Sequence, residues 1–301
     1  MKKLAESDWR TEFSRLEGAF SPHTLRAYYT DIAAFVDWCE KLELEWLPTT
    51  SEILCRHLNW MAHRGLKFTT IRRRLYAVRR LNMIMDAPEL TRDLGVDLTV
   101  RRIRRAQPNR PGQARGLTGD VLKRMIYAQP DNPWGLRNKA ILSLGYDLLA
   151  RRSEITALRT DDVTWRPDGT LEVIVRRSKA DPFGMGRLAF TSQRSAELVG
   201  EWLAWRGPEI GPLFCGIYQG VAIDRALSGA SVKLVVKNAA RAVGYDESIV
   251  GEFSAHSLRV GAAQDLLKKG HDTAAIMRAG GWSSVTVLGR YLAKAEHNVW
   301  A

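Results

Sequence analysis

The sequence predicts a mainly α protein in two parts: a helical domain over residues 1–106 and, after a linker at 107–116, a mixed α/β domain over 117–301 with a small antiparallel sheet. Three features predict it. Apolar residues recur at helical spacing through the N-terminal third; a run with two prolines, two glycines and no apolar period follows at 106–116; and strand-like runs appear only beyond it. A chain of 301 residues, 45% hydrophobic and 26% charged, is long enough for two cores and too apolar for disorder.

The first clear helix opens at Ser21-Pro22-His23-Thr24, because serine is a favoured N-cap and proline fits the first helical position. Leu25, Tyr28, Tyr29, Ile32, Phe35, Val36 and Cys39 continue it near the helical period. A second helix is expected from Thr50 to Arg64, stopping at Gly65. A third runs from about Thr69 to Met85, with Ile71, Leu75, Val78, Leu81 and Ile84 as its apolar stripe and Arg72, Arg73, Arg74, Arg79 and Arg80 elsewhere on its surface. A further helix covers Leu90 to about Arg105 and ends in Arg101-Arg102-Ile103-Arg104-Arg105. An arginine run can be only a solvated helix face. Two such clusters in a basic protein favour a DNA surface, where arginine reads guanine or grips phosphate. Arg73 is the expected base contact, with Arg26 as its partner, and Arg110 and Arg115 in the linker suit a phosphate backbone.

Beyond the linker, Thr118 caps a helix through about Ala128 and Pro133 starts another through Leu148. A helix start near Arg152 leaves Arg151 at a turn with Glu154 close by, which by itself is equally a structural ion pair. Residues 171–177 and 186–190 read as strands, with 163–165 as a third; the loop between the longer two carries Lys179. Helices are expected at about 193–205, 231–243, 256–269, 272–279 and 285–293.

The formal net charge of +12 and pI near 9.8 favour a polyanionic partner. No apolar run approaches the ~18 residues of a spanning helix, and the N-terminus turns acidic at Glu6 before a signal core forms, so an intracellular protein without a membrane partner is expected. Cys39, Cys55 and Cys215 are far apart and odd in number, as buried free thiols in a reducing compartment would be. No cysteine and histidine spacing suits zinc, so no metal is expected.

The stretch from His256 to Leu292 concentrates the chemistry. It holds His256-Ser257-Leu258-Arg259-Val260-Gly261-Ala262-Ala263, then Ala279-Gly280-Gly281-Trp282, then Tyr291. An imidazole, a guanidinium, an indole N–H and a phenol this close in sequence can converge on one small anion, which we read as a DNA phosphate. Together with Arg151-Arg152-Ser153-Glu154 and Lys179, these motifs resemble the tyrosine recombinase (phage integrase) family in the order in which they fall. Trp282 stands where many members carry a second histidine. The resemblance extends more weakly along the chain, since Ser21-Pro22-His23-Thr24 looks like the start of the family's core-binding domain and Arg101-Arg102-Ile103-Arg104 like its last helix.

The resemblance implies an N-terminal helical core-binding (SAM-like) domain and a C-terminal mixed α/β catalytic domain of the tyrosine recombinase type. It implies a nucleophile at Tyr291, phosphate clamps at Arg151, Arg259 and Trp282, a general acid at Lys179, a base or phosphate-orienting group at His256 and a support at Glu154. It also implies a homotetramer on paired double-stranded DNA sites with inverted repeats, working through a Holliday junction without an energy cofactor; on that resemblance alone no cofactor is expected. The family usually follows its tyrosine with a helix that docks into a neighbouring subunit. Here only a short segment with Trp300 follows, and Trp300 is expected to anchor that contact or to pack on its own domain. Two rivals are a silent DNA-binding regulator, opposed by the complete residue set, and a metal-dependent nuclease, which needs a carboxylate cluster that the sequence does not display.

Overall fold

The computed structural model describes residues 8–107, 112–176, 186–293 and 295. The chain divides into two compact units, Met1–Pro111 and Gly112–Ala301.

The first unit is entirely helical among the described residues: α1 (Trp9–Phe13), a 3-10 turn (Ser14–Leu16), α2 (Pro22–Glu40), α3 (Ser51–His63), α4 (Phe68–Ile84) and α5 (Leu94–Ala106). Local chemistry sets the starts. The Ser21 hydroxyl accepts from the Thr24 amide at 3.3 Å and the Thr50 hydroxyl from the Ile53 amide at 3.2 Å, each filling an orphan donor of a first turn. Helix α5 starts at Leu94 and not at Leu90, because the Asp93 carboxylate caps the Val96 amide (3.1 Å) and Glu89 accepts from the Thr91 amide (2.9 Å), turning 89–93 into a loop. Helix α1 escapes the sequence reading because five residues are too short to show a period; Asp8 caps it, and Trp9 and Phe13 are buried. Ile32, Phe35, Leu54, Leu58, Met61, Ile71, Val78 and Leu81 form the core, at the helical spacings the sequence displays.

The second unit holds α6 (Gly119–Tyr127), α7 (Pro133–Asp147), α8 (Arg152–Ala157), a 3-10 turn (Thr160–Asp162), β1 (Val163–Trp165), β2 (Leu171–Val175), β3 (Arg187–Phe190), α9 (Gln193–Arg206), β4 (Cys215–Tyr218), β5 (Val221–Ala226), α10 (Gly229–Ala242), α11 (Glu247–Glu252), α12 (His256–Lys268), α13 (Thr273–Gly280) and α14 (Val285–Leu292). Strands β1, β2 and β3 form an antiparallel sheet in that order, with Val173 opposite both Val163 and Ala189. Strand β2 ends at Val175, short of the expected Arg177, which lies outside the described residues. The β4–β5 hairpin was not expected from sequence. Its two-residue loop, Gln219-Gly220, has positive φ at both positions, the form that matches strand twist.

Helix α7 runs through the core, with Ala140, Ile141, Leu142 and Leu144 fully buried, and packs against α9, α12 and α6. A smaller apolar cluster joins Leu149, Ala262, Ala263, Ile276, Trp282 and Leu288 beneath α12 to α14, with Tyr291 packed against it. No described helix is long and apolar enough to cross a membrane. All three cysteines are free; Cys39 and Cys215 are buried and Cys55 is half-buried, a partial departure from three buried thiols.

Candidate active site

Each polar group of the site is held by backbone that the local sequence dictates. Helix α7 ends in a turn where Leu149 has φ +46°, a left-handed conformation that costs a non-glycine residue of order 1 kcal/mol or more. That turn points two consecutive carbonyls toward arginines. The Leu149 carbonyl accepts from Arg259 Nη1, and the Leu148 carbonyl accepts from Arg187 Nη2 at 2.6 Å.

Arg259, on the first turn of α12, is fully buried. Its guanidinium lies 3.9 Å from the Trp282 ring centroid and 5.6 Å from that of Tyr291. Its Nε and Nη2 are buried without a hydrogen bond of normal geometry among the described residues, as is Trp282 Nε1, and the side-chain oxygen acting on the guanidinium is the Tyr291 hydroxyl. Burial lowers the Arg259 pKa to about 10 and Arg151 adds to the effect, while Tyr291 and Glu154 oppose it. Arg259 therefore stays charged at neutral pH. Buried donors without acceptors are costly, and an anion taken up beside Arg259 and Trp282 would relieve that cost.

Arg151 is the N-cap residue of α8. The buried Glu154 carboxylate accepts from its backbone amide at 3.0 Å and from Nη1 at 2.6 Å, which fixes the side chain. His256 starts α12, and its ring centroid is 5.0 Å from that of Tyr291. Burial first, then Arg259 and Arg151, hold its pKa below the ordinary 6.5, so the imidazole is neutral at pH 7 and free to accept a proton. Trp282 meets Tyr291 edge-on at 4.9 Å. The Gly280-Gly281 pair makes this possible: a Cβ at Gly280 would sit 2.0 Å from the Trp282 ring, and Gly281 takes φ +64°.

Six of the seven expected site residues thus come together: Arg151, Glu154, His256, Arg259, Trp282 and Tyr291. Lys179 lies outside the described residues, as does Trp300. Among the described residues no group of three or more His, Cys, Asp or Glu is placed to hold a metal ion.

The sequence reading missed three supports. Gln113 and Gln264 both donate Nε2 to the Tyr291 carbonyl, at 3.0 and 3.3 Å, where the end of α14 leaves that acceptor open. The end of the expected linker, residues 112–116, is bonded to the second unit through the Arg115 amide on the Glu252 carbonyl, and Leu117 just after it donates its amide to the carbonyl of Ser257. The third support is Arg187, at the head of β3. No local pattern marked the glutamines, whereas strand alternation puts Arg187 on the same face as the buried Ala189.

The arginines read as DNA contacts in the first unit differ among themselves. Arg73 is bound to the buried Asp31 of α2 at 2.5 Å, and Arg74 lies 3.4 Å from the same carboxylate. Arg101 pairs with Asp97 at 2.7 Å. Arg26, Arg72, Arg102, Arg104 and Arg105 are exposed and make no ion pair among the described residues. Arg110 lies outside them.

An ordered helical unit followed by a mixed unit built round one tyrosine is the architecture of the phage integrase family, and the chain belongs to that family. Its model matches residues 115–298, and the phage integrase N-terminal SAM-like domain matches residues 11–85. Membership makes the chain a tyrosine site-specific recombinase. It is 28% identical over 301 residues to the recombinase cre of Escherichia phage P1, across 94% of this chain and 87% of that protein. It is 29% identical over 290 residues to the integrase/recombinase xerD homolog of Selenomonas ruminantium, across 92% and 83%. Among solved structures, a lambda integrase(75–356) dimer bound to a COC′ core site shares the fold at TM-score 0.66 and 17% identity, covering 99% of this chain and 97% of that one. The Tn1549 transposon integrase in complex with transposon right end DNA does so at TM-score 0.67 and 13% identity, covering 98% and 96%.

Proposed function

We propose that this recombinase cleaves and rejoins double-stranded DNA through a 3′-phosphotyrosine formed on Tyr291. The carrying observation is the clustering round Tyr291 of the fully buried Arg259, the buried Trp282 and the neutral His256, with Arg259 and Trp282 N–H groups buried and without a hydrogen-bond acceptor of normal geometry among the described residues.

Tyr291 Oη attacks the phosphorus as the phenol proton passes to His256 or onward through it. The phenol must lose that proton as the O–P bond forms, because the ester oxygen of the product carries none. Negative charge gathers on the non-bridging oxygens, where Arg151, Arg259 and the Trp282 N–H supply fixed donors in a low-dielectric site, each worth roughly 3 kcal/mol. The P–O5′ bond then breaks, and the leaving oxygen takes its proton from Lys179, the role that family resemblance gives that residue. The phosphotyrosine conserves the energy of the broken bond, and the 5′-hydroxyl of a partner strand reverses the step. No nucleotide hydrolysis is needed for the balance.

By likeness to its relatives, the protein acts as a homotetramer on two sites with inverted repeats and passes through a Holliday junction; a lambda integrase tetramer has been solved bound to one. The arginines at 26, 72, 102, 104, 105 and 110 are suited to the DNA backbone. The test is a suicide DNA site incubated with the protein in EDTA. A covalent protein–DNA adduct on a denaturing gel is expected from the parent and none from Tyr291→Phe; parent and variant alike would defeat the reading.

A further inference from the structure

We infer that Arg187 is a positioning residue that sets the register of all three phosphate donors of this recombinase while touching none of the DNA itself. The inference rests on the site proposed above. Arg187 bonds to the support behind each donor. Its Nη2 donates to the Leu148 carbonyl at 2.6 Å, and the next carbonyl in the same left-handed turn, Leu149, holds Arg259. Its Nη2 also lies 3.6 Å from Glu154 Oε2, while the other carboxylate oxygen of Glu154 fixes Arg151 at 2.6 Å. Its Nη1 donates to the Ala279 carbonyl at 2.8 Å, at the end of the helix that leads through Gly280-Gly281 into Trp282.

The fit is close on every side. A Cβ at Gly281 would come within 2.8 Å of Arg187 Cδ, so the glycine that turns the chain toward Trp282 also makes room for the arginine. The Arg187 side chain is 14% exposed, and its pKa is lowered by burial and by Arg151 against the pull of Glu154. A cation is placed here against its solvation and in the field of another arginine. The planar fork explains why: it serves two carbonyls and a carboxylate from three different segments at once, which a lysine ammonium on a flexible stem does less rigidly. Arg187 also opens β3, so it ties the sheet to those segments.

Donors displaced by about 1 Å lose about 10²-fold in rate, because preorganised groups act only where the charge develops. The experiment compares parent, Arg187→Lys and Gly281→Ala on a suicide site, measuring the single-turnover adduct rate against DNA concentration together with the melting temperature. Gly281→Ala crowds Arg187 from the other side and covers the case in which the lysine variant does not fold. The expected result is a saturating rate lowered about 10- to 100-fold, with the half-saturating DNA concentration within about twofold of the parent. Combined with Trp282→Phe, either change is expected to cost less than on its own, because the share of its effect that passes through the Trp282 donor is already lost.

A folded variant that cleaves at the parental saturating rate would overturn the inference. So would a rate loss wholly explained by weaker DNA binding, or full additivity with Trp282→Phe. A parent that forms no Tyr291-dependent adduct would instead refute the proposed function, and that control is read first.

Discussion

Arginine is put to opposite uses in the two units. In the first, Arg73 is 44% exposed, and its charge is already answered by the buried Asp31. In the second, Arg259 is fully buried, with two N–H donors left open and a third group, the Trp282 N–H, open beside it. Fixing a cation in a pocket without its counter-ion is unfavourable for folding and is worthwhile only if an anion arrives. A cation on an exposed helix needs no such reason. Under the proposed function, the difference separates a site built for transition-state charge from a surface built for steering and grip.

The sharpest way to break that contrast is Arg259→Ala. Losing one preorganised donor is expected to slow adduct formation by about 10²–10³-fold, with DNA affinity much less affected, as measured in single-turnover cleavage beside equilibrium binding. Arg259→Lys is expected to recover little, since one ammonium cannot serve the Leu149 carbonyl, stack on Trp282 and face the phosphate together. If the alanine variant cleaves within about tenfold of the parent, Arg259 is a buried structural ion and the contrast fails.

A buried imidazole offers a second probe, this time of the first unit's stability. His57 is 1% exposed, stacked on Trp60 and met edge-on by Phe35 and Trp38, and burial, aided by Arg74, holds its pKa down at about 4. The unfolded chain, with an ordinary value of 6.5, binds its proton first as the pH falls. The stabilisation is therefore complete above pH 6.5, is lost as the pH drops toward 4 and levels off below; at about 1.4 kcal/mol per unit it amounts to about 3 kcal/mol. Denaturant unfolding followed by tryptophan fluorescence across that window is the measurement, with His57→Phe expected to flatten the profile. An unchanged slope in the variant would show that His57 is not the titrating group.

How much of this was legible varied with the kind of signal. Helices of the first unit followed from apolar spacing and caps, and the six residues that lie together near Tyr291 were marked by the ordered motifs, because each motif is also a local structural device: Gly280-Gly281 turns the chain and clears Trp282, and Glu154 caps the helix that Arg151 begins. Arg187 was harder. In β3 the more apolar residues, Leu188 and Phe190, are the exposed ones at 49% and 52%, while Arg187 and Ala189 face inward. A period-two reading by hydrophobicity assigns the faces the wrong way round. The glutamines that hold the Tyr291 carbonyl were invisible for another reason. Gln113 and Gln264 are far apart in sequence, and one sits in a stretch whose prolines and glycines read as linker. Gln107, at the other end of that stretch, is bonded to the first unit, to the Phe68 amide at 2.8 Å and the Leu66 carbonyl at 3.0 Å.

The smallest effect tests which arginines of α4 meet DNA. Arg72 is exposed and has no ion pair among the described residues, so its charge is available to displace a counterion from a phosphate. Arg72→Ala in the Tyr291→Phe background is expected to weaken binding and to lower the slope of log affinity against log salt by about one. Arg73 begins from a different state, because its carboxylate partner must be left behind before it can reach a base. Arg73→Ala is expected to leave the salt slope nearly unchanged and to cost the first unit about 1 kcal/mol, since Arg74 still faces Asp31. Fluorescence anisotropy over a salt series, paired with denaturant unfolding, reads both quantities. A lower slope for Arg73→Ala, with relaxed preference at one base pair, would mean that DNA outcompetes Asp31 and would restore Arg73 as the base-reading residue. The contrast between the units would then be one of degree: an arginine paired in the free protein can still be a DNA contact if the DNA offers it more than the carboxylate does.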